Sequence, residues 1–338
     1  MSGAVRRRRV FSGIQPSGVL HLGNYLGAVK HWAARQDDRE NFICVVDLHA
    51  ITVRQDPEAL RSGTRELAAM LFACGIDPKR TTLFVQSHVR AHAEAAWILG
   101  CTTPIGWLER MTQYKAKSER QGGRERIGVG LFTYPVLQAA DILLYDADEV
   151  PVGEDQKQHV ELARDIAGRF NHLYGETFVL PEAVIPTAGA RVMALDDPTV
   201  KMSKSETAGR GHAVRLTDTD DEIRRSLKRA VTDSGREIDF SDDPARAGVN
   251  NLLLIYQAIT DRGGDEVLAD FAGARGYGDL KMGVAEAVIE VVAPIRQRYE
   301  ELMAAPEELD RLLAIGAERA RKVAEPKAAG IRRLVGFA

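Results

Sequence analysis

Short apolar runs alternate with longer helical patterns through the first half of this chain. The runs that read as strands cover residues 10–14, 42–47, 82–86 and 150–152. Segments with apolar residues three and four positions apart cover residues 57–74, 94–101 and 135–145. Asp56 is placed to cap the first of these helices and Gly75 to end it. This alternation predicts an α/β fold with a parallel, doubly wound sheet.

The pattern changes after about residue 206. The stretch 208–211 reads Ala-Gly-Arg-Gly, which is typical of a flexible connection between domains. The sequence that follows has helical spacing and no convincing strand. We therefore expect a second, all-α domain in the C-terminal part of the chain.

Composition narrows the class of protein. The formal net charge of −3 excludes a generally basic nucleic-acid binder but is compatible with local basic patches. No apolar run reaches the roughly 18 residues that a membrane span needs, so we expect a cytoplasmic protein without a membrane partner. Cys44, Cys74 and Cys101 lie among apolar neighbours and form no C-x-x-C pair. They predict buried free thiols rather than a disulfide framework or a zinc site.

A short basic segment is the first candidate for chemistry. Its sequence is Lys201-Met202-Ser203-Lys204-Ser205, which puts two ammonium groups three residues apart with no hydrophobic period between them. Such a pair suits the binding of phosphates. Taken alone, however, a basic run of this length is more often a solvated surface loop.

Residues 13–24 predict a phosphate-binding turn between a strand and a helix. A Pro/Gly turn leads into a helix N-terminus, where exposed backbone N–H groups attract anions. Gly23 would let a nucleotide lie against the backbone, while His21 and Asn24 supply hydrogen-bond donors. An ordinary strand-to-helix turn with an N-cap explains these residues equally well when they are taken alone. Together with the basic segment, they predict a nucleotide site.

At these segments the chain resembles class I aminoacyl-tRNA synthetases, and within them the bacterial-type tryptophanyl-tRNA synthetases. Residues 13–18 and 21–24 are similar to that family's variant of the HIGH signature. Residues 201–205 match its KMSKS signature letter for letter. Further blocks similar to the family lie at residues 47–52, 139–145 and 150–159. The resemblance runs nearly end to end.

The resemblance implies a domain plan and a reaction. A Rossmann-like catalytic domain would cover residues 1–206 and be rejoined by 312–338, while 207–311 would form a helical anticodon-binding domain. Members of the family activate tryptophan with ATP, giving tryptophanyl-adenylate and pyrophosphate. They then transfer tryptophan to the 3′ end of tRNA(Trp). The implied partners are therefore L-tryptophan, ATP, tRNA(Trp) and a second copy of the chain in a symmetric homodimer.

Charge on the phosphates has to be neutralised while this reaction proceeds. The resemblance implies catalytic roles for Lys201, Lys204, Gln15, His21 and Asn24. It assigns to the ATP site Gln15, Pro16, Ser17, Gly23, Asn24, Gly153, Glu154, Asp155, Val192, Lys201, Met202, Ser203, Lys204 and Ser205. The sequence shows no dense carboxylate cluster, so we expect Mg²⁺ to be held mainly by the ATP phosphates and not by a protein metal site.

Selecting tryptophan over phenylalanine or tyrosine calls for a buried acceptor that takes the indole N–H. Asp141 matches the family's indole-binding carboxylate. Its apolar neighbours in sequence favour burial over an exposed position on an amphipathic helix. The resemblance assigns the remaining tryptophan contacts to Tyr134, Gln156, His49, Phe11, Val150 and Val152. His49 by itself would be interpreted as a structural histidine.

Two departures from the family limit what carries over. Gln138 stands near a position where many bacterial relatives have Met, so the shape and polarity of their tryptophan pocket cannot be assumed. Some relatives bind an iron–sulfur cluster through C-terminal cysteines. This chain has no cysteine beyond Cys101, which excludes that cofactor.

Other functions fit parts of the same pattern. A tyrosine-specific relative would share the fold and the chemistry, but the Gln-Pro-Ser-Gly block and the KMSKS spelling argue against it. A small-molecule nucleotidyltransferase would not need the helical domain. A non-catalytic RNA-binding or regulatory paralogue is disfavoured by the two lysines of the basic segment, Asp141 and the Gly-Glu-Asp-Gln block.

Overall fold

A parallel sheet lies at the centre of the first half of the chain. The structure is a computed structural model that describes residues 6–112, 128–185, 191–203 and 211–337. The described strands are β1 (Arg9–Ile14), β2 (Glu40–Val45), β3 (Thr81–Val85), β4 (Glu149–Pro151) and β5 (Glu182–Val184). They are parallel and lie in the order β3-β2-β1-β4-β5. The chain winds outward from β1 first to one side and then to the other, so the predicted doubly wound sheet is confirmed.

Helices pack around this sheet, and beyond residue 220 the described chain consists of helices and their connections, with no strand. They are α1 (Leu22–Asn24), α2 (Lys30–Ala34), α3 (Asp47–Ala50), α4 (Pro57–Ala73), α5 (Ala91–Thr102), α6 (Ile105–Glu109), α7 (Val129–Leu143), α8 (Lys157–Tyr174), α9 (Asp220–Arg229), α10 (Ala247–Thr260), α11 (Gly264–Asp270), α12 (Tyr277–Ala304) and α13 (Pro306–Leu334). A π-helical stretch, Tyr25–Val29, joins α1 to α2. Within the described ranges, no helix has both the length and the apolar character needed to cross a membrane.

The strands bury both faces of the sheet. Successive side chains of a strand point to opposite faces, so Ile43 and Leu83 join a core cluster that includes α4. Phe42, Cys44 and Phe84 join a second cluster with α5, α7 and α8. Burial on both sides explains why the β2 sequence is a continuous apolar run and not an alternating one.

The predicted ends of α4 are confirmed. The Asp56 carboxylate accepts hydrogen bonds from the backbone N–H groups of Glu58 at 3.0 Å and Ala59 at 2.9 Å. Gly75 adopts a φ of +96°, the left-handed conformation that ends a helix without a Cβ clash. The sequence did not predict β5 or α8, and it predicted α5 to start at residue 94 and α7 at residue 135, whereas they start at Ala91 and Val129.

The prediction that all three cysteines are buried is wrong for Cys101, which is exposed. Helix α5 buries the face that carries Ala95 and Leu99, while Trp97 and Cys101 lie on the other side. Apolar neighbours in sequence do not imply burial within a helix, because side-chain direction rotates by about 100° per residue. Cys44 and Cys74 are buried free thiols, as predicted.

Helix α13 brings the end of the chain back to the sheet. Its Ala320, Ala324 and Ile331 lie in the core cluster that covers the α5 side of the sheet. The helix crosses the edge strand β3 at Gly316, where a Cβ atom would lie only 1.7 Å from the backbone oxygen of Leu83. The absence of a side chain at Gly316 therefore allows α13 to approach β3 closely and to cover this edge of the sheet.

Replacing this glycine tests the packing of α13. We expect Gly316→Ala to lower the free energy of unfolding by about 1–3 kcal/mol, because helix and strand must move apart. Gly330→Ala on the same helix is the control, since its Cβ would meet no atom within 4 Å. That change should leave stability unchanged or raise it by up to about 1 kcal/mol. Equal melting temperatures for the two variants would contradict this account.

Candidate active site

The strand order reverses between β1 and β4, and this reversal defines a crevice at their carboxyl ends. The loop 15–18 follows β1, and the loop 153–155 follows β4. Ligands of doubly wound sheets bind in the crevice at such a switch point. Gln15, Ser17 and the residues 153–155 are exposed there, as a ligand site requires.

The segment that follows the β1 loop packs against the second half of the chain. The backbone N–H of Leu22 donates to the Val214 oxygen at 2.8 Å, and His21 is buried at 3% exposure. A Cβ at Gly23 would lie 3.1 Å from His21 Nδ1 and 3.4 Å from Met202 Cβ. The two segments that the sequence links to phosphate binding therefore lie side by side at Gly23 and Met202.

The segment that carries Lys201 is held as one arm of a small antiparallel pair. Met202 N donates to the Val192 oxygen at 3.1 Å, and Met193 pairs with Lys201. The Asn251 side chain in α10 then holds both backbone groups of Met193, at 2.9 and 3.0 Å. Position 201 is thereby fixed to a helix in the second half of the chain.

The residues of this segment differ in their surroundings. Lys201 and Ser203 are exposed, whereas the Met202 side chain is 2% exposed and packs in the core, as does Val192. The Ser203 hydroxyl lies 3.4 Å from His212 Nε2. The predicted site residues Lys204 and Ser205 lie outside the described residues.

A buried carboxylate, Asp141 of α7, lies at the centre of a second group of polar side chains. Its Oδ1 accepts from Gln86 Nε2 at 2.7 Å and is 2.6 Å from His92 Nδ1. Its Oδ2 is 2.8 Å from His49 Nε2. Asp141 is 1% exposed, so the predicted burial is confirmed.

The protonation of Asp141 follows from these contacts. Burial alone raises the pKa of the carboxyl group, because it penalises the charged form. The hydrogen bonds from His49 and His92, together with the electrostatic attraction of the same two side chains, outweigh burial and hold the pKa below its ordinary value of 3.8. The group is therefore a carboxylate at neutral pH and acts only as an acceptor.

Aromatic side chains surround this carboxylate. The Tyr134 hydroxyl is 2.9 Å from His159 Nε2, and the Tyr134 ring meets the His49 ring edge-on with centroids 6.2 Å apart. Burial raises the pKa of Tyr134 to about 12, so its hydroxyl stays protonated. Tyr145 stacks on Phe11 with ring centroids 5.5 Å apart.

Several of the predicted tryptophan-site residues come together in this group. Asp141, His49 and Tyr134 are linked by the contacts just described, while Phe11 and Val150 are buried in the adjacent core. Val152 is partly buried at the end of β4. Gln156 instead directs its Nε2 to the Asp155 carboxylate at 2.8 Å.

Gln86, His92, Tyr145 and His159 are functional candidates that the sequence does not single out. Gln86 directly follows β3 at the same edge of the sheet as His49, and that position is the one signal that marks it. His92 lies at the second position of a helix, and nothing in the local pattern distinguishes it from a structural histidine. In the parts of the chain that the structure describes, no group of three or more His, Cys, Asp or Glu residues could hold a metal ion.

The fold and the two groups of site residues define a class of protein. Over residues 4–293 the sequence matches the family of tRNA synthetases class I (W and Y). The chain belongs to this family, whose members are aminoacyl-tRNA ligases.

Individual relatives narrow the comparison. A tryptophan–tRNA ligase from Wolinella succinogenes is 53% identical over 331 residues, which is 98% of this chain and 99% of that protein. The crystal structure of tryptophanyl-tRNA synthetase from Campylobacter jejuni complexed with ADP and tryptophan is 38% identical, covers 97% of this chain and 100% of its own, and gives a TM-score of 0.85. A tyrosyl-tRNA synthetase from Aeropyrum pernix, at 23% identity and a TM-score of 0.65, shares the fold.

The low pKa of Asp141 predicts how the free energy of unfolding changes at acid pH. A carboxyl group whose pKa is depressed by folding stabilises the protein above its ordinary pKa of 3.8, and this contribution is lost as the pH falls through the folded-state pKa. We expect Asp141→Asn to lower the free energy of unfolding by about 1–3 kcal/mol at pH 7. The difference from wild type should shrink below pH 3.8 in urea titrations. A difference that stays constant down to pH 2 would refute this assignment.

Proposed function

We propose that this chain is a tryptophan–tRNA ligase, which activates L-tryptophan with ATP and transfers it to tRNA(Trp). The observation that carries the proposal is the 53% identity to a tryptophan–tRNA ligase over 99% of that protein's length. The family includes tyrosine enzymes as well, so the choice of amino acid needs a physical basis of its own. The buried Asp141 carboxylate supplies it.

In the activation step, negative charge develops on the leaving pyrophosphate. A carboxylate oxygen of tryptophan attacks the α-phosphorus of ATP and forms a new P–O bond, while the bond to pyrophosphate breaks and pyrophosphate takes its electrons. We assign Lys201 and Lys204 to neutralise the leaving group. Lys201 is exposed and its backbone is fixed by pairing with Met193, which supports this role.

We assign the nucleotide to the crevice between β1 and β4. Its contacts would come from Gln15, Pro16, Ser17, Gly23, Asn24, Gly153, Glu154, Asp155, Val192, Met202, Ser203 and Ser205, with His21 and Asn24 donating to the phosphates. We propose that Mg²⁺ enters as part of the MgATP substrate. A hydroxyl at the 3′ end of tRNA(Trp) then attacks the carbonyl carbon of the adenylate, and AMP leaves.

Asp141 gives the site a way to recognise indole. We propose that it accepts the indole N–H of tryptophan, with His49, Phe11, Val150 and Val152 as walls. Tyr134 and Gln156 would contact the amino-acid head group. A ring without the N–H would leave a buried carboxylate with an unused acceptor, which costs about 1–3 kcal/mol or more.

The helices of the second half suggest where tRNA(Trp) is read. We propose that residues 1–206 and 312–338 form the catalytic domain and that 207–311 bind the anticodon. The packing of α13 on β3 through Gly316 supports the return of the final segment to the sheet. A ligase that serves translation would act in the cytoplasm.

A homodimer is the proposed assembly. Large apolar side chains are exposed on the helices of the α5–α7 group, at Trp97 with 72% exposure, Ile105 with 67% and Val129 with 76%. Single exposed apolar residues are common, but several on adjoining helices favour a protein interface. A second copy of the chain is the partner that we assign to this surface.

Amino-acid-dependent exchange of labelled pyrophosphate into ATP tests the proposed function. Purified protein should catalyse this exchange with tryptophan and at least on the order of 100-fold less efficiently with phenylalanine or tyrosine, because only indole fills the Asp141 acceptor. Exchange with tyrosine alone would identify a tyrosine-specific enzyme. Exchange without an amino acid would point to a nucleotidyltransferase, and no exchange at all to a non-catalytic protein.

Lys204→Ala tests the role of the basic segment. Adenylate formation should slow by on the order of 100-fold, because the partner charge of Lys204 peaks during phosphoryl transfer. The tryptophan dissociation constant should change little. Lys322→Ala is the control, since Lys322 is an exposed lysine on α13, and it should alter neither quantity. Equal losses of rate and of tryptophan affinity in Lys204→Ala would refute the assigned role.

A further inference from the structure

A buried chain of hydrogen bonds runs from Asp141 into the core. His92 Nδ1 lies 2.6 Å from Asp141 Oδ1, and His92 Nε2 lies 2.8 Å from the Tyr145 hydroxyl. His92 and Tyr145 are both 0% exposed, so no water competes for these bonds at the surface. The function proposed above gives His92 and Tyr145 no task.

The direction of each hydrogen bond in this chain is fixed by its chemistry. Asp141 is a carboxylate, so His92 Nδ1 must carry the proton that it donates. Tyr145 keeps its proton, because burial raises the pKa of its hydroxyl well above the ordinary value. In the neutral imidazole of His92, Nε2 is an acceptor, so Tyr145 donates to it, and this bond selects the tautomer that donates to Asp141.

Gln86 is oriented in the same way. Its Oε1 accepts from the backbone N–H of Leu48 at 3.1 Å, a group that can only donate. Its Nε2 must therefore face Asp141 Oδ1, where the distance is 2.7 Å. The backbone of Leu48 thus sets the orientation of the Gln86 amide. Both groups that donate to Asp141 Oδ1 are therefore oriented by partners other than the carboxylate.

The acceptor positions of Asp141 can now be assigned. A carboxylate offers about four acceptor positions, two on each oxygen. Gln86 and His92 occupy both positions on Oδ1, and His49 occupies one on Oδ2. Among the described contacts, one acceptor position on Oδ2 is unoccupied. His49, which bonds to the same oxygen, is the most exposed member of the group, with 8% of its side chain accessible.

We propose that His92, with its tautomer set by Tyr145, is a positioning residue for amino-acid selection: it holds Asp141 Oδ1 so that Oδ2 faces the indole N–H. Gln86 acts with it from the end of β3. This inference rests on the proposed function, since it concerns how the same site recognises tryptophan. His92 itself does not touch the substrate.

The test compares two ligands that differ at one atom. Dissociation constants are measured for tryptophan and for 3-benzothienylalanine, in which sulfur replaces the indole N–H. In His92→Leu the preference for tryptophan should fall by on the order of tenfold, because Oδ2 is no longer held, while affinity for the sulfur analogue changes little. His92→Asn keeps an amide donor near the position of Nδ1 and should restore most of the preference.

A matched variant separates positioning from general destabilisation. Leu99→Ala removes a side chain with 0% exposure from the same face of α5, seven residues from His92, without touching the polar chain. It should lower the melting temperature and leave the preference for tryptophan unchanged. If His92→Leu does not fold, Tyr145→Phe replaces it and should lower the preference severalfold.

Three results would overturn the inference: an unchanged preference in the folded His92 or Tyr145 variant, equal weakening of both ligands, or the same loss of preference in Leu99→Ala. Failure of the proposed function looks different. In that case the wild-type protein itself would bind neither ligand or would show no preference for tryptophan over the sulfur analogue.

Discussion

Burial of one negative charge, on Asp141, determines how the carboxyl edge of the sheet is arranged. An ionised carboxylate in the interior is strongly disfavoured unless donors surround it. Those donors come from three separate elements: His49 in α3 after β2, Gln86 after β3, and His92 in α5. The carboxylate therefore ties two strand ends and a helix to α7. A shift of any one element would leave a buried charge or a buried donor without its partner.

The crevice to which we assign the phosphates depends on a different constraint. The strand order reverses between β1 and β4, whereas Lys201 comes from much later in the chain. Met202 lies beside Gly23 at the start of α1, where a Cβ on the glycine would come within 3.4 Å of Met202 Cβ. Asn251 then fixes Met193, the partner of Lys201, to α10. The position of Lys201 thus depends on the packing of the helical half.

The sequence predicts local features well and long-range ones poorly. Strand and helix patterns, the caps at Asp56 and Gly75, and the burial of Asp141 follow from periodicity and neighbouring residues. β5 escapes prediction because three residues, Glu182–Val184, carry no pattern. The roles of His92 and Tyr145 escape it because a buried histidine or tyrosine is recognised as part of a network only when its partners, 49 and 53 residues away from His92, are placed beside it.

A crystal structure of the protein with tryptophan bound tests the central claim most directly. The measured quantity is the distance from the indole nitrogen to each oxygen of Asp141. Our account predicts about 2.7–3.2 Å to Oδ2, with the bonds from His49, Gln86 and His92 retained. An indole nitrogen paired with another group, or one that displaces His92 from Oδ1, would contradict it.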